Sequence, residues 1–178
     1  MYRDTVTLFC FHDGIWRATT LKGVDLNADR AAILAKYGTE SADRARLHIA
    51  YKNETDNGIQ VCDGVLAVNP KDYDGSEGTI TFASGDNFTF FVRGKWNGGT
   101  LEYDYGVFDP WEVADVADGG SFDPWDEGII LDAEGILTDD NMFPQGFYNY
   151  MNETYGEAYA VSSVAIYSVI PHFEIMGK

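Results

Sequence analysis

The chain has 178 residues, a formal net charge of −17, and a hydrophobic fraction of 45%. This length suits one domain with a sizeable core, and so large a hydrophobic fraction excludes an intrinsically disordered chain. The negative charge argues against binding nucleic acid or an anionic membrane surface, because both depend on Lys and Arg.

We also predict no membrane span, because no run of 18 apolar residues is present. The opening MYRDTVTLFCFHDG lacks the apolar stretch of a signal peptide, so we expect the protein to be made and assembled in the cytoplasm.

The charge is concentrated in the second half of the chain. Residues 1–96 hold 11 Lys or Arg and 13 Asp or Glu, whereas residues 97–178 hold one lysine and 16 acids. Residues 97–140 alone hold 13 acids and no Lys or Arg. We therefore expect a single domain over residues 1–178, with residues 97–140 forming an acidic loop excursion within it.

The first predicted element is a β-hairpin. Residues 5–9 and 15–21 alternate in the manner of strands around a His12-Asp13-Gly14 turn, and Gly23 breaks the second strand. Asn27 is a candidate N-cap for a helix over residues 28–37, which has helical spacing of apolar residues and ends at Gly38.

Short strands follow in the middle of the chain. They are predicted over residues 47–51, 65–68, 79–82 and 88–92, with residues 52–57 as a polar loop. The last of these strands is the strongest β signal, because Phe-Thr-Phe-Phe-Val is aromatic and β-branched.

The C-terminal part combines one helix with two strands. Pro144 offers a helix start, so we predict a helix over residues 146–155 that ends at Gly156. Residues 158–169 and 171–175 have the pattern of strands. Together these elements predict a mainly β protein with a minor α+β character. The expected architecture is a small β-barrel or sandwich with two short helices.

The acidic excursion contains the tetrapeptide Phe-Asp-Pro-Trp twice, at residues 108–111 and 122–125. Asp-Pro opens turns, and an aromatic residue on each side can anchor such a turn against protein. Packing into the core and contact with a neighbouring subunit both explain the repeat. The candidate interface anchors are Phe108, Trp111, Phe122 and Trp125.

The candidates for catalytic residues are the histidines and the clustered acids. The histidines are His12, His48 and His172, and none lies in a nucleophile–base motif, so we assign them structural roles. A glycosidase needs two carboxylates beside aromatic platforms, which the excursion offers, although so many acids form such pairs by chance. These residues are Asp104, Asp109, Glu112, Asp123 and Asp126, near Tyr103, Trp111 and Trp125.

A calcium-binding loop is the other chemical interpretation of the excursion. The stretch from Asp115 through Asp118 to Asp123 has acids and glycines but lacks the alternating ligands of an EF-hand. A solvated acidic loop explains it more simply, and calcium binding stays open. We therefore predict no enzymatic activity, no catalytic residue, no cofactor and no assigned metal ligand.

Several stretches, taken in order, resemble the small head-to-tail connector proteins of long-tailed bacteriophages and prophages. The opening strand TVTLF, the Trp-containing second strand and LKGVDL resemble the family's opening. KDYDG followed by GTITFASGDNFTFFVRG resembles its central pattern, and AVSSVAIYSVIPHFEIMGK resembles its closing pair of strands. The likeness covers about two thirds of the chain, and residues 97–140 depart from it.

The resemblance implies a virion structural protein of the neck, an adaptor, stopper or head-closure component assembled in the host cytoplasm. Its implied partners are copies of itself in a cyclic ring, the portal or adaptor, and tail-completion proteins, with no membrane. Genomic DNA would pass through without specific binding, which a strongly acidic protein permits. Two alternatives remain: a tail or tail-tip component that binds a surface glycan through the Trp/Tyr-rich acidic segment, and a carboxylate-dependent glycosidase.

Overall fold

The computed structural model describes residues 2–13, 15–29, 33, 35–36, 43–85, 88–96, 101–103, 106–108, 136–137 and 146–178. Residues 101–103, 106–108 and 136–137 are described through their backbone. The longer strands are β1 (Asp4–His12), β2 (Ile15–Asn27), β3 (Ala45–Ala50), β8 (Thr89–Arg93), β13 (Ala158–Tyr167) and β14 (His172–Gly177). The shorter strands are β4 (Asn53–Thr55), β5 (Gly58–Gln60), β6 (Leu66–Ala67), β7 (Thr79–Ile80), β9 (Lys95–Trp96), β10 (Leu101–Tyr103), β11 (Gly106–Phe108) and β12 (Ile136–Leu137). The C-terminal α-helix is α1 (Phe147–Tyr155), and a 3-10 turn covers Cys62–Gly64.

The six longer strands pair in a closed antiparallel ring. β1 pairs with β2 and β8, β13 joins β8 to β14, and β3 joins β14 to β2. Because the pairing returns to its starting strand, the sheet has the connectivity of a small β-barrel. The mainly β fold predicted from the sequence is confirmed.

The sequence predicted that the second strand ends at Gly23, and this prediction is wrong. Asp4 pairs with Val24 and Thr5 with Lys22, so Gly23 is an extra residue in the ladder, with a φ of 70°. A glycine adopts this left-handed conformation at low cost, and the resulting bulge bends the strand. β2 therefore continues to Asn27 and reaches β3, which closes the ring.

The predicted polar loop over residues 52–57 is also wrong. β4 and β5 form a short hairpin there, which belongs to a four-stranded sheet in the order β4-β5-β6-β7. We call this the small sheet. The strand pattern was missed because β4 is exposed along its whole length and so has no apolar alternation.

The barrel interior holds the larger core cluster. Every barrel strand contributes to it, and the small sheet adds residues such as Ile80. Its fully buried members include Leu8, Leu47, Ile49 and Phe91. Alternation along each strand places these residues inside, which is the period-two pattern that the sequence showed.

A second, aromatic cluster lies on the outer face of β1, β8 and β13, under α1. The rings of Phe9 and Phe90 stack at 4.7 Å, and Phe147 of α1 meets Phe9 edge-on at 5.2 Å. α1 ends at Gly156, which is left-handed and donates its N–H to the carbonyl of Asn152. The helix predicted over residues 146–155 is confirmed.

Half of the other predicted helix, over residues 28–37, lies outside the described residues. Within that window Ile33, Ala35 and Lys36 are helical, and the Ile33 N–H donates to the Asp29 carbonyl at 3.0 Å. Asn27 Oδ1 accepts the Asp29 N–H at 2.8 Å, the bond expected of an N-cap.

Cys10 lies in the barrel core with 1% of its surface exposed, and burial raises the pKa of its thiol. Only the thiolate reacts with alkylating agents, so we expect Cys10 to resist iodoacetamide at about pH 8, near the ordinary thiol pKa. Cys62 is half-buried and should react first. Mass spectrometry of the labelled protein checks this, with both thiols reacting in denaturant as the control. Equal labelling of the two thiols in folded protein would contradict the buried position of Cys10.

Candidate interaction surface

The hairpin of β13 and β14 exposes a group of large apolar side chains at its turn. Val169 is 95% exposed, Ile170 72% and Tyr167 45%. We call residues 167–171 the hairpin tip. Contiguous exposed apolar residues of this size are typical of protein–protein contact sites in soluble proteins.

Polar and aromatic contacts join the hairpin tip to its neighbours. The His172 imidazole stacks on the Tyr167 ring at 4.8 Å, and its Nδ1 lies 2.6 Å from the Ile170 carbonyl. The Tyr51 hydroxyl donates to the Tyr167 carbonyl at 3.2 Å, and the Tyr51 N–H donates to the Pro171 carbonyl at 3.2 Å. A surface fixed in advance loses less conformational entropy on binding, which favours a role in association.

A groove of about 930 Å³ lies between the small sheet and the outer part of β13. Val164 and Ile166 of β13 line one side, and the rings of Phe82 and Phe173, 5.2 Å apart, lie at the groove. The other side carries four carboxylates. These are Glu54, Asp56, Asp72 and Asp74.

Hydrogen bonds keep one of these carboxylates ionised. The Ser76 hydroxyl donates to Asp74 Oδ1 at 2.5 Å and the Ser76 N–H at 3.0 Å, and these bonds lower the pKa of the Asp74 carboxyl. The Asp74 carboxyl therefore stays ionised to a lower pH than an ordinary aspartate, and the groove has apolar residues on one side and carboxylates on the other.

The predicted structural role of the histidines fits their positions. His48 lies between two carboxylates, with Nδ1 3.3 Å from Asp25 Oδ2 and Nε2 3.0 Å from Glu174 Oε2. It thereby links β2, β3 and β14 across the barrel wall. His12 packs edge-on against Tyr73 at 5.8 Å, and its Nε2 is 3.4 Å from Asp13.

The predicted interface anchors lie almost entirely outside the described residues. Phe108 ends β11, where its backbone is described, whereas Trp111, Phe122 and Trp125 fall outside. The carboxylates considered for glycan chemistry and for calcium also fall outside. They are Asp104, Asp109, Glu112, Asp115, Asp118, Asp123 and Asp126, while Tyr103 is described by its backbone in β10.

The described residues of the excursion form the short strands β10, β11 and β12. β10 pairs with β9 and β11, and β12 pairs with β2 through Ile136 opposite Arg17 and Leu137 opposite Trp16. The excursion thus returns to the barrel before α1 begins.

Sequence reasoning missed both the hairpin tip and the groove. Residues 158–169 were expected to be strand, so Val169 was not recognised as part of an exposed turn. A signal was present, since Val169 and Ile170 are apolar at a turn before Pro171. The groove carboxylates lie up to 20 positions apart, and nothing in a single sequence indicates that they face one channel.

The part of the chain that the structure describes contains no group of three or more His, Cys, Asp or Glu placed to hold a metal ion. None of its helices has the length and apolar character needed to cross a membrane.

Comparisons with known proteins gave no match: no protein-family model, curated protein or solved structure matches the chain.

Proposed function

We propose that the protein is a virion structural component of the head–tail junction, a connector or stopper subunit that assembles into a cyclic ring. The observation that carries the proposal is the exposed, apolar hairpin tip at the end of a closed barrel. The ordered likeness of the sequence to connector proteins supports the same function. In this role the ring would contact the portal or adaptor on one side and tail-completion proteins on the other, in the neck of the particle.

Self-association has a clear energetic source at the hairpin tip. Burying a Val or Ile side chain contributes roughly 1.5 to 3 kcal/mol, and Val169 and Ile170 are largely exposed in the single chain. In a ring of more than two copies, the tip would contact a different surface of the next copy. Contacts of this heterologous kind produce rings when the rotation closes.

The acidic character of the chain suits a DNA conduit. The net charge of −17 gives no counterion-release term for binding the phosphate backbone, so DNA can pass without adhering.

Replacing Val169 and Ile170 together by aspartate is expected to abolish assembly. Both side chains are exposed in the single chain, so the substitution removes the apolar contact while the fold is kept. We expect the association constant to fall about a hundredfold or more, as for the loss of two central interface residues. Sedimentation-velocity ultracentrifugation measures the change, with circular dichroism to verify folding.

The matched control is Lys71→Asp, which makes the same change in net charge at an exposed position that is not part of the hairpin tip. It should assemble like the unmodified protein. Assembly of the doubly substituted protein at the normal concentration would show that the hairpin tip is not the contact.

A further inference from the structure

The outer part of β13 has an edge without a strand partner among the described residues. β13 pairs with β8 only over residues 158–160, at Val92, Phe91 and Phe90. From Ser163 to Ile166, β13 pairs with β14 on one side, and the described residues place no strand on the other. Such an edge presents backbone N–H and C=O groups that can pair with an added strand.

The same stretch of β13 borders the groove. Val164 and Ile166 alternate along it, face the groove, and are 38% and 55% exposed. An added strand would therefore gain backbone hydrogen bonds from β13 and apolar contacts from alternate side chains. This combination is the basis of peptide recognition by strand addition.

The negative charge of the groove favours the addition of a basic strand. Glu54, Asp56, Asp72 and Asp74 line it, and no Lys, Arg or His is among its described lining residues. A segment in which Lys or Arg alternates with aliphatic residues would direct its cations into the groove, where their aliphatic stems would pack beside Val164 and Ile166 and their charges would face these carboxylates.

We propose that the groove binds an extended, basic segment of a partner protein, which adds as a strand to β13. This inference rests on the proposed function, because it gives the connector a site for a different protein while the hairpin tip is used for self-association. A second copy is a poor occupant. The basic positions Arg44, Arg46, Arg93 and Lys95 lie in or next to strands of the folded protein, so they do not form an extended segment that could add to β13.

The test uses a synthetic peptide of about ten residues in which lysine and valine alternate. We expect it to bind, as measured by fluorescence anisotropy, and to shift amide NMR signals of residues 163–166 and of the small sheet. Two matched peptides serve as controls. Replacing every lysine by glutamate should remove binding, and N-methylation of alternate backbone nitrogens should do the same, because it blocks the ladder of hydrogen bonds.

Substitutions in the protein complete the test. Asp56→Asn with Asp72→Asn should weaken peptide binding about tenfold, an effect lost at high salt, while sedimentation of the protein alone stays unchanged. The Val169→Asp, Ile170→Asp protein should bind the peptide normally.

Equal binding of the lysine and glutamate peptides, or of the N-methylated peptide, would overturn the inference. So would a loss of self-association in the Asn variant, which would make a second copy the occupant. Sedimentation tests ring assembly through the hairpin tip, and anisotropy tests peptide binding in the groove. Either proposal can therefore fail without the other.

Discussion

Replacing Phe147 by alanine is expected to lower the free energy of unfolding by about 3 to 5 kcal/mol. Phe147 is fully buried, and its ring lies 5.2 Å from that of Phe9, 5.8 Å from Phe90 and 6.1 Å from Trp16. Together with Met151, it joins α1 to the aromatic cluster on the outer face of the barrel. Its removal leaves a cavity that the surrounding rigid rings cannot fill.

Urea denaturation followed by tryptophan fluorescence measures this effect, since Trp16 and Trp96 belong to the same cluster. Glu153→Ala provides the control on the same helix, because Glu153 is exposed and its truncation should change the midpoint little. A Phe147→Ala protein with the midpoint of the unmodified chain would mean that α1 does not pack on the barrel as described.

Adding a single methyl group at Gly177 is expected to destabilise the barrel by about 1 to 3 kcal/mol. A Cβ at this position would lie 2.7 Å from Tyr159 Cβ and 2.8 Å from Phe91 Cζ. The Phe91 ring is fully buried, and Tyr159 Cβ moves only with its backbone, so neither neighbour can yield without shifting β8 or β13. The glycine is therefore required by close packing across three strands.

The clash itself can be tested by partial rescue. Phe91→Leu removes the ring atom nearest to the new methyl group, so Gly177→Ala should cost less in that background than in the unmodified protein. Chemical denaturation of the four proteins in the cycle gives the coupling. A Gly177→Ala protein as stable as the unmodified one would show that β14 lies farther from β8 than the structure places it.

Local signals in the sequence predicted individual elements well. The helix of residues 147–155 is flanked by glycines and keeps its apolar residues on one face, so its limits followed from local chemistry. The strand Thr89–Arg93 was evident because its residues are aromatic and β-branched. The first hairpin followed from alternation around a short turn.

The closure of the barrel could not be predicted in the same way. It depends on pairs such as β1 with β8 and β3 with β14, whose paired residues are 79 or more positions apart in sequence. Alternation indicates which face of a strand is buried, but it does not identify the partner strand. The bulge at Gly23, which carries β2 across to β3, likewise looks like a strand end when the sequence is read locally.

The candidate surface was less predictable than the fold. The sequence directed attention to Phe108, Trp111, Phe122 and Trp125, whose repeat is conspicuous, whereas the described surface centres on Val169 and Ile170. An exposed apolar residue and a buried one have the same letter in the sequence. Their difference arises from strand pairing, which leaves the end of the β13–β14 hairpin outside the barrel.

Electron microscopy of the purified, assembled protein tests the central claim most directly. The account predicts closed rings of uniform size with a central channel, which disappear in the Val169→Asp, Ile170→Asp protein and persist in Lys71→Asp. Particles of single chains at concentrations well above those of assembly, or open filaments without closure, would contradict the proposal that this barrel is a ring subunit of the head–tail junction.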